Sequence, residues 1–217
     1  FMKTFNVARL NKAIKELKKE NPNAFFNMYQ FDQSGIGPGE LMLYFLIDNS
    51  RVGGGGSAGV DLIVGNKEYE AKSVTFNKGR QQIEGFKLGG KGELAPVLSK
   101  AQALKKKYPD EMLKANKGKK NAISEINRTQ MKKLKELEPR AWAQIERQYA
   151  KVAGEYFGGT NLVFMYSKAD PNRVGEIITA GTISAKAVEM HAITSGTIKP
   201  SINLKDIKKI WWNLKPI

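Results

Sequence analysis

The sequence predicts an α/β fold, because segments of helical and of strand character alternate along the chain. Apolar residues recur at helical spacing over residues 6–19 and again over 129–157. Between them, residues 59–74 contain two β-type runs around Gly65-Asn66, a pair that suits tight hairpins. Residues 161–167 form an apolar run typical of a buried strand. Helices and strands in this order favour a sheet that packs against helices.

The first half of the chain predicts two helices before the hairpin. Residues 6–19 place apolar side chains on one side and lysines on the other, which indicates an amphipathic helix. A glycine-rich loop at 33–39 leads into residues 40–47, which predict a largely buried helix with Glu40 in its first turn. The loop lacks the Gly-Lys-Ser or Gly-Lys-Thr end of a P-loop, so we interpret it as a tight turn.

The second half predicts helices followed by further strands. Residues 129–157 are expected to form one long helix, or two helices broken near Pro139. The strand at 161–167 follows, and the remainder predicts strands and turns. Residues 204–214, with Trp211 and Trp212, predict a closing helix or strand.

Length and charge bound the organisation of the chain. Its 217 residues predict a single domain over 1–217, with a Lys-rich, mostly helical insertion at about 78–135. That insertion holds 16 Lys and Arg against 5 Asp and Glu, a net charge of +11, out of +15 for the whole chain. Such an excess favours nucleic acid as the partner, through neutralisation of its phosphates. The alternative is an ordinary lysine-rich surface.

Composition excludes several kinds of chemistry. The chain has no cysteine and a single histidine, His191, which excludes disulfide scaffolds, zinc fingers, thiol nucleophiles and almost all histidine-base chemistry. No stretch approaches the roughly 20 apolar residues of a membrane helix, so no membrane partner is expected. With no secretory signal pattern, the sequence predicts a cytoplasmic protein.

The hairpin brings three charged residues together if Gly65 and Asn66 form its turn. Asp61 then falls opposite Glu70, and Lys72 stands two residues further along the same face. Opposed side chains have β-carbons only about 5 Å apart, where two carboxylates repel each other. A hard cation such as Mg²⁺ would reverse that repulsion, and Lys72 could orient the attacking water or stabilise charge developing on a phosphate. The alternative is an exposed charged face of the hairpin, on which a lysine pairs across the two strands.

Asp61, followed after eight residues by Glu70-Ala71-Lys72, resembles the signature of the PD-(D/E)XK (restriction-endonuclease-like) nuclease superfamily. The resemblance implies a restriction-endonuclease-like core, with a mixed central sheet flanked by helices in the order helix, hairpin, third strand, helix, strand. The third strand is not placed by the sequence. The resemblance also implies a metal site at Asp61 and Glu70, assisted by Glu40 on the preceding helix, with Mg²⁺ as cofactor and Mn²⁺ as its substitute. An acid in a first helical turn is equally explained by the helix dipole.

The chain departs from the superfamily pattern at two points. Val60 replaces the proline that gives the motif its name. Gln144 and Tyr149 are five residues apart, so the Gln-x-x-x-Tyr helix motif of the RecB-like branch is not met and no subfamily is assigned. An E-x-K triplet alone is weak, because Glu16-Leu17-Lys18 also matches it.

The sequence therefore predicts a metal-dependent endonuclease that hydrolyses phosphodiester bonds in double-stranded or branched DNA, possible as a homodimer. The catalytic set is Glu40, Asp61, Glu70 and Lys72. The alternative is a non-catalytic nucleic-acid-binding or packaging protein that uses the basic surface. The residues expected to contact nucleic acid are Lys78, Arg80, Gln81, Lys105, Lys106, Lys107, Lys117, Lys119 and Lys120.

Overall fold

A computed structural model of the chain describes residues 5–31, 36–53, 60–87, 91–115, 123–193 and 196–204. The helices in these ranges are α1 (Val7–Glu20), α2 (Pro22–Gln30), α3 (Pro38–Leu46), α4 (Lys91–Lys107), α5 (Pro109–Lys114), α6 (Ile123–Leu137) and α7 (Pro139–Gly159). The strands are β1 (Ser50–Val52), β2 (Leu62–Val64), β3 (Lys67–Asn77), β4 (Gln82–Glu84), β5 (Asn161–Tyr166), β6 (Ile177–Gly181), β7 (Val188–Ile193) and β8 (Ile198–Asn203).

The strands form one mixed sheet around the long strand β3. The first half of β3 pairs antiparallel with β2, which pairs with β1, and it also lies parallel to β5, which pairs with β6. The last residues of β3 pair antiparallel with β4, and the sheet continues through β8 to β7. The parallel pairing of β3 with β5 needs a long crossover, which helices α4 to α7 supply.

Helices cover both faces of the sheet, as the alternation of β5 shows. Val163 and Met165 pack in a buried cluster with residues of α1, α2 and α3. Leu162 and Phe164 point to the other face, into a larger cluster with residues of α4 to α7. Because β5 is buried on both faces, it is apolar along almost its whole length.

Local signals at Asn6 and Asn21 fix the first two helices. The Asn6 side chain accepts a hydrogen bond from the Arg9 N–H at 3.0 Å and caps α1. Asn21 ends α1 and caps α2 by accepting from the Ala24 N–H at 3.0 Å, and Pro22 occupies the first helical position. Helix α2 was not predicted, since it is short and lacks a clear apolar period.

Most predicted elements of the α/β fold are confirmed. The helices predicted at 6–19 and 40–47 are present as α1 and α3, with ends one or two residues away, and 161–167 contains β5. Of the two alternatives for 129–157, two helices are correct, with the break at Pro139. Strands β1 and β4 were not placed by the sequence. Residues 205–217, including Trp211 and Trp212, lie outside the described residues.

The Lys-rich region is mostly helical, but it is not separate from the core. Its apolar residues on α4, α5 and α6 belong to the larger buried cluster. Strand β4 also lies within it and joins β3 to β8. The region 78–135 therefore combines a basic surface with part of the sheet and its helical cover.

Candidate active site

Helix α3 places Glu40 beside the hairpin. The helix begins at Pro38 after Gly37, so Glu40 lies in its first turn. The Gly37 N–H donates to the Glu40 carboxylate, which keeps that side chain close to the helix start. A β-carbon at Gly39 would lie 2.9 Å from the Met165 sulfur, so glycine lets α3 pack closely on β5. Glu40 is half-buried as a result.

The hairpin has the predicted register. Val64 pairs with Lys67, Ile63 with Glu68 and Leu62 with Tyr69, so Gly65 and Asn66 are the two turn residues. Gly65 has φ +60°, a conformation that glycine adopts without a steric penalty, and it is the first residue of a two-residue turn. The register sets which residues of β3 share a face.

Asp61 reaches the site by a contact that differs from the prediction. The paired ladder ends at Leu62, so Asp61 is not a ladder partner of Glu70. Its N–H donates to the Tyr69 carbonyl at 2.9 Å, and its carboxylate accepts a hydrogen bond from the Ala71 N–H at 2.8 Å. The carboxylate is thereby held against the backbone between Glu70 and Lys72. Every residue except proline has a backbone N–H, so the sequence does not indicate that the Ala71 N–H is the donor.

Glu70 and Lys72 form an ion pair on β3. The Lys72 ammonium contacts Glu70 Oε1, with the two side chains 20% and 6% exposed. The other oxygen, Glu70 Oε2, is buried with no hydrogen-bond partner among the described residues. A buried carboxylate oxygen without a donor is costly, and such atoms often face a ligand or a cation.

The pKa values of the Glu40 and Asp61 carboxyls are both raised above their ordinary values. Burial, and next the negative charge of Asp61, raise the pKa of Glu40 to about 7 from its ordinary 4.5. Burial also raises the pKa of Asp61, although the Ala71 N–H and the Lys72 ammonium oppose that shift. A hydrogen bond with the Glu40 side chain also lowers the pKa of Asp61. With a pKa of about 7, Glu40 is close to half-protonated at neutral pH.

The donor set suits a hard divalent cation, but it is not gathered around one point. Three carboxyls, one of which has an oxygen without a donor among the described residues, provide ligands of the kind that Mg²⁺ prefers. Within the described ranges, however, no group of three or more His, Asp or Glu side chains is placed to hold a metal ion. The Lys72 ammonium already occupies Glu70 Oε1, the position where a cation would compete with it.

Three predicted nucleic-acid contacts lie together at the turn between β3 and β4. Lys78, Arg80 and Gln81 are all exposed there. Arg80 donates to Glu84 Oε1 at 2.8 Å, and the Gln81 amide donates to the Lys78 carbonyl at 2.8 Å. The turn is six residues along β3 from Lys72, roughly 20 Å at the rise of an extended strand.

The lysines of α4 differ from one another. Lys106 is exposed, and Lys107 is exposed but contacts Glu138. Lys105 instead points into the fold, where its ammonium donates to Asn127 Oδ1 and to the Ile193 carbonyl, each at 3.0 Å. Its partner carbonyl lies 88 residues away, so the sequence could not separate it from its neighbours. Lys117, Lys119 and Lys120 lie outside the described residues.

Comparison with models of protein families, with curated proteins and with solved structures found no match to this chain. None of the helices in the described ranges is long and apolar enough to cross a membrane. The chemistry of the site must therefore be argued from its own geometry.

Proposed function

We propose that the chain is a metal-dependent endonuclease that hydrolyses phosphodiester bonds in DNA. The observation that carries this proposal is the meeting of Glu40, Asp61, Glu70 and Lys72 around the hairpin. The four residues come from α3, from the residue before β2 and from β3, and they influence one another electrostatically. A chance arrangement of surface charges would not bury Glu70 to 4% exposure and leave one of its oxygens unpaired within the described ranges.

The order of elements supports a restriction-endonuclease-like core. Helix α3 precedes the β2–β3 hairpin, and β4 follows the hairpin as a further strand. After the helical crossover, β5 pairs parallel with the part of β3 that carries Glu70 and Lys72. The site thus lies on a central strand, and a rigid support of this kind suits a catalytic site.

Asp61 and Glu70, assisted by Glu40, would hold Mg²⁺ or Mn²⁺. A divalent cation in such a site polarises the scissile phosphate and lowers the pKa of a bound water. The Ala71 N–H orients the Asp61 carboxylate through the bond at 2.8 Å. Lys72 supplies N–H donors that can stabilise negative charge developing on a phosphate oxygen. Without a metal, burial and the charge of Asp61 raise the pKa of Glu40 to about 7, and a bound cation would favour its ionised form.

The DNA would be held by cationic surface on the Lys-rich region. Lys78, Arg80 and Lys106 are exposed, and the chain carries a net charge of +15. Contacts of this type bind phosphates and read no sequence. We leave Lys105 out of this surface, since its ammonium is engaged inside the fold.

A second function is favoured by the closed Glu70–Lys72 pair. With Lys72 on one Glu70 oxygen and no assembled group of three donors in the described residues, the hairpin could also serve a protein that binds nucleic acid without cutting it. That protein would use the same basic surface. Binding assays alone do not separate the two functions, because a nuclease also binds its substrate.

Cleavage of supercoiled plasmid in Mg²⁺, in Mn²⁺ and in EDTA tests the proposal. Asp61→Asn and Lys72→Ala are compared with Asp48→Asn, an exposed acid that follows α3. We expect nicking only with a divalent ion, a loss of 100-fold or more in the first two variants, and no change in the third. Metal-dependent nicking that survives both site variants would reject this site. DNA retention with no cleavage in any condition would favour the binding protein.

A further inference from the structure

A cavity of about 380 Å³ lies away from the candidate active site, between helices α6 and α7 and strands β7 and β8. Arginine and lysine side chains form much of its wall, together with two carboxylates, Glu146 and Glu189, and with apolar and hydrogen-bonding side chains. The cations are Arg80, Arg128, Lys132 and Lys135, and the apolar side chains include Met131 and Met190. Gln82 on β4 also lines the cavity, and it pairs with Asn77 on β3. Asn77 is five residues beyond Lys72, so the cavity lies roughly 17 Å along β3 from the candidate active site.

Three of the cations share one face of α6. Arg128, Lys132 and Lys135 are spaced by four and then three residues, which brings them to the same side of a helix. Like charges at this spacing reduce the stability of a helix. An anion bound in front of them would remove that repulsion.

Two of these cations have no acid to pair with among the described side chains. Lys135 is matched by Glu146 at 3.1 Å, and Arg80 by Glu84 at 2.8 Å. No described carboxylate lies within ion-pair distance of Arg128 or Lys132. Arg128 Nε is moreover buried with no hydrogen-bond partner among the residues that the structure describes, although Arg128 lines an open cavity. A buried guanidinium N–H without an acceptor indicates that the acceptor comes from outside the chain.

The rest of the wall suits the remainder of a nucleotide. Met131 and Met190 offer an apolar surface for a base or sugar. The side chains of Ser201 and His191 add hydrogen-bonding groups that face the same space. A guanidinium and an ammonium side by side match the charge and the several oxygens of a phosphate.

We propose that this cavity binds the phosphate group of a nucleotide, with Arg128 and Lys132 as its principal contacts. The phosphate can come from a free nucleotide or from a nucleic-acid strand that crosses the groove. The site does not depend on the nuclease chemistry, because none of its contacts belongs to the set at Glu40, Asp61, Glu70 and Lys72.

Binding measured in EDTA tests the cavity separately from any cleavage. Thymidine 5′-monophosphate is titrated by calorimetry, and a labelled single-stranded oligonucleotide by fluorescence anisotropy, against Arg128→Gln and Lys132→Ala. Arg9→Gln is the matched control, an exposed arginine on α1, a helix that packs in the other buried cluster. Lys132 is exposed, so its replacement should leave the fold intact, which thermal unfolding checks.

We expect both cavity variants to weaken binding of at least one ligand by 5-fold or more, and Arg9→Gln by less than 2-fold. Dependence for the monophosphate identifies the phosphate of a free nucleotide, and dependence for the oligonucleotide alone identifies strand phosphates. For strand phosphates, each variant should also lower the salt dependence of binding by about one phosphate contact. The proposal is overturned if neither variant weakens either ligand more than Arg9→Gln does.

Discussion

The Lys72 ammonium contacts Glu70 Oε1 on strand β3, while Glu70 Oε2 is buried beside it without a hydrogen-bond partner in the described part of the chain. Of the two Glu70 carboxylate oxygens, the described residues therefore provide a partner for Oε1 alone. Removal of the lysine would leave a buried carboxylate with no counter-charge, whereas a cation at the open oxygen would complete the site. Stability and activity are both expected to depend on this one contact.

Replacement of Lys72 by Met should destabilise the fold even though methionine fits a similar volume. A buried charge that loses its partner costs about 3–5 kcal/mol, and urea unfolding in EDTA measures that loss. The matched control is Lys107→Met, which breaks the exposed pair with Glu138 and should change stability little. The double variant Glu70→Gln/Lys72→Met should recover much of the loss. A Lys72→Met protein as stable as the parent would show that Glu70 is not confined as described.

Stability in EDTA should fall as the pH rises through the titration of Glu40. Burial and the charge of Asp61 raise the pKa of Glu40 to about 7 from 4.5, so the folded state keeps a proton that the unfolded state has lost. This contribution is fully present below pH 4.5 and is lost as the pH rises through about 7. Glu40→Gln should flatten the dependence, since an amide does not titrate.

Urea unfolding midpoints between pH 4.5 and 8 measure this effect. Glu16→Gln on α1 is the control, because Glu16 is exposed and pairs with Lys12 on the same helix. Its profile should follow the parent. Equal slopes for the parent and Glu40→Gln would show that Glu40 titrates as an ordinary surface acid.

The hairpin turn can be tested through two glycines whose added β-carbons meet no neighbour. Gly65 has φ +60°, and Gly158 lies in α7 without that conformation. Gly65→Ala should destabilise by about 1–2 kcal/mol because alanine is strained at positive φ, while Gly158→Ala should stabilise by about 0.5–1 kcal/mol. Thermal unfolding of both variants gives the two signs. If Gly65→Ala is neutral, the turn has another geometry and the register that positions Glu70 is in doubt.

The sequence could predict the parts of the site that depend on local geometry. Gly65-Asn66 specifies a tight turn, a two-residue turn specifies the register, and the register places Glu70 and Lys72 on one face of β3. Glu40 followed from its place at the start of a helix. These inferences need only neighbours in the chain.

The parts that were missed depend on contacts between distant segments. The Ala71 N–H that holds Asp61 is a backbone group, which the sequence cannot mark. His191 lies 3.6 Å from Glu84, a partner on another strand, and burial lowers the pKa of its imidazole. Arg128 was counted only as one charge of a basic region, because its half-buried position on α6 depends on how that helix packs.

Lys105 and Lys106 are neighbours on α4 with different roles: the charge of Lys105 stabilises the fold, and the charge of Lys106 is available to nucleic acid. Lys105 donates to Asn127 and to the Ile193 carbonyl, so Lys105→Met should cost about 1–3 kcal/mol in thermal unfolding and leave DNA affinity unchanged. Lys106 is exposed on the next position of α4, so Lys106→Ala should leave stability unchanged. It should weaken DNA binding a few-fold and lower the salt dependence by about one contact. The opposite pattern, with affinity lost in Lys105→Met and kept in Lys106→Ala, would mean that Lys105 turns outward to reach phosphate and that its internal contacts are dispensable.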